Sequence, residues 1–185
     1  MDFDLFLADL EGRFDAERRE QAEALVVELA DAERADVTLA ARMLAGAGRP
    51  LTVLLRGGER IAGTVLDVAR TWVLVGAAAG ESLIPVSAIA AVWPLAGSTV
   101  DEGSVANAVG IGHILRDLAE RGIEVVVDHD AGVHQGTVSA VYADHLDLEA
   151  RVGASGLDAR DRGGSQMLTL PLSGIRRIRF VASPY

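Results

Sequence analysis

The chain contains an internal repeat, and this feature constrains its fold more than any other. Residues 49–75 align with residues 122–148 at a constant offset of 73 residues. The alignment resumes between residues 85–89 and residues 171–175 at an offset of 86 residues, so the second copy is 13 residues longer. Such a repeat predicts two copies of one small structural unit and outweighs local propensities.

Each copy has the pattern of a small β-rich unit preceded by a helix. Apolar and β-branched runs in the first copy predict five strands, at residues 51–55, 60–65, 71–75, 82–84 and 89–93. Gly57 and Gly58 predict a tight hairpin turn between the first two strands, because glycine tolerates positive φ. Helices are predicted at residues 39–45 and 105–121, the second with Ser104 as its N-cap and Gly122 as its stop.

The N-terminal segment is acidic and predicted to be helical from Asp2 to about Ala45. Residues 1–48 hold 12 acids and 5 arginines, whereas the whole chain has a net charge of −10. An amphipathic stripe runs along it, formed by Phe3, Leu7, Leu10, Phe14, Ala22, Leu25, Val26 and Leu29. This stripe either covers the protein's own β units or pairs with a second chain, and we favour the first arrangement.

Composition excludes several classes of site. The chain has no cysteine, so disulfides and thiolate metal sites are excluded. No apolar run reaches the roughly 18 to 20 residues that span a bilayer, and we expect a cytoplasmic protein without membrane contact. All basic residues are arginine, which is typical of a high-GC genome such as that of an actinobacterium. The negative net charge argues against nonspecific nucleic-acid binding.

The order of elements and a few residues resemble the Sm/LSm family, including the bacterial Hfq-type proteins. The resemblance rests on a leading helix, a tight turn between the fourth and fifth strands, and the residues Gly57, Gly58, Gly63, Trp72, Ala88 and Ile89. It implies a mainly β chain with helices (α+β), made of two tandem five-stranded Sm-like or SH3-like barrels. Each barrel would follow a helix, and both would lie behind the N-terminal helical arm.

The charge distribution, the composition and the repeat offsets predict the domain boundaries. These are an acidic helical arm at residues 1–48, a first barrel at 49–95, a linker at 96–104, and a helix with a second barrel at 105–185, which carries a loop insertion at 151–166. Members of the family form rings through their fourth and fifth strands and bind RNA through a basic box before the last strand. That position here reads Pro85-Val86-Ser87 and Pro171-Leu172-Ser173, without basic, aromatic or histidine residues.

One dense basic cluster, formed by Arg176, Arg177 and Arg179, stands on the last predicted strand. Its counterpart in the first copy is apolar, so the fold does not require the charge. Three interpretations compete: ion pairs with the acidic arm, contact with a phosphate-bearing partner, and protection of a sheet edge. Trp72 is a further candidate contact, as a stacking platform, although packing at the barrel mouth is favoured for both Trp72 and Trp93.

The remaining polar motifs favour structural roles. His129, His134 and His145 stand near several aspartates, but their spacing matches no known metal site. His113 is expected to pack or cap on a helix. Gly110-Ile111-Gly112 falls within a helical pattern and lacks the features of a phosphate-binding loop. We therefore predict no catalytic residues, no metal and no cofactor.

These observations predict a non-catalytic binding or assembly module that acts as a protein-interaction scaffold. We expect a protein partner or self-association, as a monomer or a small even-numbered oligomer and without a large ring. Binding of RNA or single-stranded nucleic acid is the alternative, and an enzyme is not expected because no nucleophile, base and orienting group occur together.

Overall fold

The computed structural model describes residues 34–95, 109–151 and 164–181, together with residues 18, 25, 26 and 28–31. The chain divides into two compact units, residues 1–37 and residues 38–185. The described residues of the first unit are helical except Val37, and the side chains of Leu25, Val26 and Leu29 are exposed. The prediction of helix throughout Asp2 to about Ala45 is wrong at Val37 and Thr38, which are not helical and separate the first unit from the helix at residues 39–45.

The second unit contains ten strands, which form one antiparallel sheet. They are β1 (Pro50–Leu55), β2 (Arg60–Val68), β3 (Trp72–Ala77), β4 (Gly80–Pro85), β5 (Ile89–Trp93), β6 (Glu124–His129), β7 (Gly132–Val141), β8 (His145–Arg151), β9 (Ser165–Pro171) and β10 (Ile175–Phe180). All five predicted strands of the first copy are confirmed, with small differences at their ends.

Two helices precede the two sets of strands. Helix α1 (Leu39–Ala45) has the predicted bounds and starts at Thr38, whose hydroxyl oxygen accepts a hydrogen bond from the Ala41 amide. Helix α2 (Ile111–Glu120) begins later than predicted, after Gly110, and ends before Gly122, which has a φ of +62°. The predicted cap Ser104 lies outside the described residues, as do residues 152–163 of the insertion predicted at 151–166. At the two ends of that predicted insertion, Arg151 belongs to β8 and Ser165 and Gln166 belong to β9.

The strand order of the sheet is β5-β1-β2-β3-β4-β10-β6-β7-β8-β9. Each repeat therefore contributes five strands in the same internal order, with its fifth strand beside its first. A single-turn 3-10 helix joins the last two strands of each repeat, at Val86–Ala88 and Leu172–Gly174. The repeat seen in the sequence is a repeat of topology.

The predicted pair of five-stranded Sm-like or SH3-like barrels is wrong, because all ten strands belong to one open sheet. The fourth strand of the first repeat pairs with the last strand of the second, with Leu83 opposite Ile178 and Ser82 opposite Arg179. These pairs satisfy backbone groups across the repeat boundary. Apolar alternation fixes which face of a strand is buried, but it does not fix which two strand edges meet.

Glycines at matched positions allow the second and third strands of each repeat to approach closely. A Cβ atom on Gly63 would meet the carbonyl oxygen of Gly76, and one on Gly136 would meet that of Glu149. The ladder is irregular shortly after each glycine, between Val65 and Asp67 in β2 and at the matching place in β7. Irregularities of this kind bend and twist a strand.

Each repeat has its own hydrophobic core. The first core contains α1 side chains such as Met43 with apolar residues of the first repeat, and the second contains Leu115 and Leu118 of α2 with strands of the second repeat. Three residues of the first repeat, Ala69, Trp72 and Leu83, belong to the second core. No helix among the described residues is both long and apolar enough to cross a membrane.

Candidate functional site

Trp72 lies at the boundary between the repeats and is buried, with 7% of its surface exposed. Its indole N–H donates a hydrogen bond of 2.7 Å to the carbonyl oxygen of Val109, two residues before α2. A buried and hydrogen-bonded indole joins the repeats, and its face is not open for a base to stack on.

The arginine cluster lies on β10, in the interior of the sheet. Arg177 Nε donates to Asp128 Oδ2 at 2.6 Å, and Arg177 Nη2 donates to Glu59 Oε1 at 2.6 Å. Arg179 Nη2 donates to Asp128 Oδ1 at 3.1 Å. Since the Asp128 side chain is only 3% exposed, these arginines balance a buried carboxylate and connect it to the first repeat.

Arg176 makes a second set of contacts across the same boundary. Its guanidinium donates to the carbonyl oxygen of His129 at 2.6 Å and to that of Arg56 at 3.5 Å. Arg56 in turn donates to the carbonyl oxygen of Ser173 at 2.7 Å. Asp130 carboxylate oxygens lie 3.6 to 3.7 Å from both guanidinium groups. Side-chain guanidinium groups of both repeats thus donate to backbone carbonyl oxygens across the junction.

These contacts bear on the three interpretations of the cluster. Edge protection is wrong, because β10 has a neighbouring strand on each side. The acidic arm residues Glu17, Glu20 and Glu23 lie outside the described residues. Contact with a polyanion stays a prediction, although Arg177 is 12% exposed and already bonded to two carboxylates. The sequence could show the cluster but not its partners, since Asp128 and Glu59 are distant in the chain.

His129 is buried and has both ring nitrogens engaged. Its Nδ1 accepts a hydrogen bond from the Ala131 amide at 3.0 Å, and its Nε2 lies 3.1 Å from the Pro171 carbonyl oxygen. Since Nδ1 accepts, the ring proton at Nε2 is the one that is donated to the Pro171 carbonyl oxygen. The ring ties the β6–β7 turn to the end of β9.

His134 is also buried, at 4% exposure, but neither of its ring nitrogens has a hydrogen-bond partner among the described residues. Burial lowers the pKa of His134 from its usual value, and the nearby His129 lowers it further. A buried and unbonded imidazole is held in its neutral form, because a charge there would be poorly solvated.

His145 belongs to a different, exposed group at the start of β8. The rings of Tyr142 and His145 are stacked, with centroids 4.4 Å apart and an interplanar angle of 15°. The Nδ1 atom of His145 lies 2.7 Å from Asp144 Oδ1, and this hydrogen bond lowers the pKa of Asp144. The sequence placed His145 near several aspartates, but it gave no sign of Tyr142, whose counterpart in the first repeat is Ala69.

The two edges of the sheet are β5 and β9. Among the described strands, β5 pairs only with β1, and β9 pairs only with β8. Neither strand contains a charged residue. Trp93 on β5 is 41% exposed with the Arg60 guanidinium 5.8 Å from its ring, and Met167 on β9 is 54% exposed.

Within the described part of the chain, histidine, aspartate and glutamate side chains form no group of three that could hold a metal ion. The comparisons with known proteins also assign no site. No protein-family model matches the chain, and neither a curated protein nor a solved structure matches it.

Proposed function

We propose that the protein is a non-catalytic assembly module that binds a second copy of itself through the two edges of its sheet. One observation carries the proposal: β5 and β9 each have a single neighbouring strand among those described, and neither contains a charged residue. The proposed module acts in the cytoplasm, and fractionation of native cells tests that location.

Exposed sheet edges favour strand addition. An edge strand presents a row of unpaired N–H and C=O groups, and monomeric proteins discourage pairing there with charged residues, prolines or bulges. This chain places three arginines on the interior strand β10, while its edge strands contain no charged residue. The proline of β9, Pro171, stands at the last position of the strand, and the pairing of β5 with β1 is irregular only between Leu54 and Leu55. Pairing with an added strand satisfies the backbone groups and covers the apolar side chains.

A second copy is the partner that fits both edges at once. Within the chain, β4, the fourth strand of the first repeat, pairs with β10, the fifth strand of the second repeat. The fourth strand of the second repeat is β9, and the fifth strand of the first repeat is β5. A β9–β5 pair between two copies would therefore repeat the β4–β10 pair with the repeats exchanged. If β9 of each copy pairs with β5 of the other, a dimer closes both edges. We therefore expect a small even-numbered oligomer and no large ring, in accord with closed point-group symmetry.

The arginine cluster gives little support to the alternative of RNA binding. Its side chains are engaged with Asp128, Asp130 and Glu59, and the whole chain carries a charge of −10. RNA binding that weakens steeply with salt and survives the loss of self-association would favour this alternative.

Light scattering on edge variants tests the proposal. The wild type is expected near twice the chain mass of 19.4 kDa, whereas Met167→Lys and Ala91→Lys are expected near the single-chain mass. Lysine on an edge strand opposes pairing because its charge would have to be desolvated. Val133→Lys is the matched control, since Val133 is 45% exposed on the interior strand β7.

Two results would count against the proposal. If the wild type stays monomeric at every concentration, the protein does not self-associate. If the edge variants associate as the wild type does, the sheet edges are not the interface. An assembly of six or more repeats in a ring contradicts the expected stoichiometry. Thermal melting of each variant separates loss of association from loss of fold.

A further inference from the structure

The strand pair at the junction of the two repeats has a fixed register. Strand β10 lies antiparallel to β4, with Ile178 opposite Leu83 and Arg179 opposite Ser82. A slip of one residue would turn every side chain of a strand to the other face of the sheet, so burial fixes such a register. The same register is therefore expected wherever the equivalent strands of two repeats meet.

The edge strand β9 matches β4 residue by residue. The two strands end at the aligned prolines Pro85 and Pro171, each of which lies opposite the first residue of the third strand of its repeat. Neither ladder contains a register shift, so the offset of 86 residues holds along both strands. Thr169 on β9 thus has the place that Leu83 has on β4, and Leu168 has the place of the residue before it.

The other edge strand, β5, matches β10 in the same way. The two strands begin at the aligned isoleucines Ile89 and Ile175, and both ladders to the neighbouring first strand are irregular at the second residue. From the third residue onward, both ladders are regular. Val92 and Trp93, the fourth and fifth residues of β5, therefore correspond to the fourth and fifth residues of β10.

We infer that β9 of one copy pairs with β5 of a second copy in the register of the junction, with Thr169 opposite Val92 and Leu168 opposite Trp93. The inference rests on the proposed function, which brings the two edges together. It adds which residues face each other, since edges can also pair in a slipped register.

Burial along the fourth strands supports this register. Leu83 is 1% exposed and belongs to the core of the second repeat, whereas its counterpart Thr169 is exposed. The next residues, Ile84 and Leu170, are both buried in the cores of their own repeats. One face of β4 is thus covered by the neighbouring repeat. A second copy covers the same face of β9 with its first core, against which Val92 packs.

The contact between copies has weaker chemistry than the junction within the chain. Thr169 stands in the place of Leu83, and the arginine cluster has no counterpart on β5, where Ala90, Ala91 and Trp93 hold the equivalent positions. Backbone pairing and apolar contact remain, without the ion pairs of the junction. Such a contact suits an assembly that forms and dissociates, and Thr169→Leu is expected to strengthen it.

Disulfide formation tests the register directly, because the chain has no cysteine of its own. Thr169→Cys protein is mixed with Val92→Cys protein, and Leu168→Cys with Trp93→Cys, under mild oxidation. Adjacent pairs of an antiparallel ladder alternate between a wide and a narrow geometry, so both mixtures are needed. We expect one of them to form a disulfide-linked dimer about ten-fold faster than the slipped mixture of Thr169→Cys with Ala91→Cys. Mass analysis of peptides identifies the linked residues.

A gain of affinity provides the second test. Thr169→Leu gives the edge the residue that β4 has at the junction, and we expect it to tighten dimerisation about ten-fold, because a leucine side chain then becomes buried. Ser139→Leu is the matched control, since Ser139 is exposed on the interior strand β7. It is expected to dimerise as the wild type does. Loss of fold cannot produce a tighter dimer, so the result does not depend on the stability of the variant.

The outcomes separate this inference from the proposed function. If the wild type dimerises through its edges but the slipped mixture links as fast as both matched mixtures, or Thr169→Leu dimerises no more tightly than Ser139→Leu, the register is wrong and the edge assembly stands. If the wild type does not dimerise, both proposals are overturned.

Discussion

At the scale of single residues, the buried carboxylate of Asp128 accounts for two of the three arginines on β10, and Arg176 contacts His129, Arg56 and Asp130 instead. Arg177 and Arg179 each donate to one oxygen of Asp128, and Arg177 also reaches Glu59 of the first repeat. The sequence showed the three arginines as a cluster, but it could not show a partner 118 positions away in the chain. Contacts over such separations follow from strand pairing and not from local pattern.

The two arginines that hold Asp128 are expected to differ in their contribution to stability. Arg177→Met removes the more buried partner and leaves the carboxylate with one donor, so we expect a loss of about 3 kcal/mol in the free energy of unfolding. Arg179→Met is the matched control, because Arg179 is 37% exposed and makes one of the two bonds. Arg179→Met is expected to lower the free energy of unfolding by about 1 kcal/mol. Urea unfolding of both variants measures the difference, and equal costs would contradict this ranking.

His134 is expected to make stability depend on pH. Its folded pKa lies below the unfolded value of about 6.5, so the unfolded chain binds the proton more readily. The free energy of unfolding should therefore fall as the pH drops below about 6.5 and level off below the folded pKa.

A comparison of variants isolates this contribution. His134→Leu loses no hydrogen bond, because neither ring nitrogen has a partner among the described residues. We expect its stability near pH 7 to be equal or higher and its decline toward pH 5 to be shallower than that of the wild type. His113→Gln, at an exposed position on α2, controls for the loss of one histidine. Identical pH profiles for His134→Leu and the wild type would rule out this role.

At the scale of elements, the sequence predicted the strands well and their assembly poorly. Alternating apolar residues located β1 to β5, and Gly57 and Gly58 marked the first hairpin, where their φ angles are +90° and +89°. The edge-to-edge contact of β4 with β10 depends on two strands from different repeats. The alternation of apolar residues does not specify that β4 pairs with β10, and the expectation of two separate barrels was wrong for this reason.

The matched glycines of β2 and β7 are expected to be equally intolerant of a side chain. Gly63→Ala and Gly136→Ala each place a Cβ against a backbone carbonyl, which cannot move away without disturbing the neighbouring strand. We expect each to lower the free energy of unfolding by roughly 2 to 4 kcal/mol. Gly112→Ala on α2 has room for the methyl group and should stabilise the protein by up to about 1 kcal/mol. A tolerated alanine at either strand position would show that the close approach is not required.

At the scale of the whole molecule, the described strands of the two repeats form one sheet with one internal junction and two edges. The repeat in the sequence predicted two equivalent units, and the structure confirms equivalent strand orders. The candidate site was only partly visible in the sequence. Trp72 and the arginines were recognised, but their place at the junction and the exposed group at Tyr142 became clear only from the fold.

Backbone hydrogen exchange, measured at low and high protein concentration, tests the central claim most directly. A continuous sheet that assembles through its edges predicts that β4 and β10 are protected at both concentrations, because they pair within the chain. It predicts that β5 and β9 gain protection only at high concentration, when a second copy covers them. Fast exchange in β4 and β10 at low concentration, or equal exchange of β5 and β9 at both concentrations, would contradict the account.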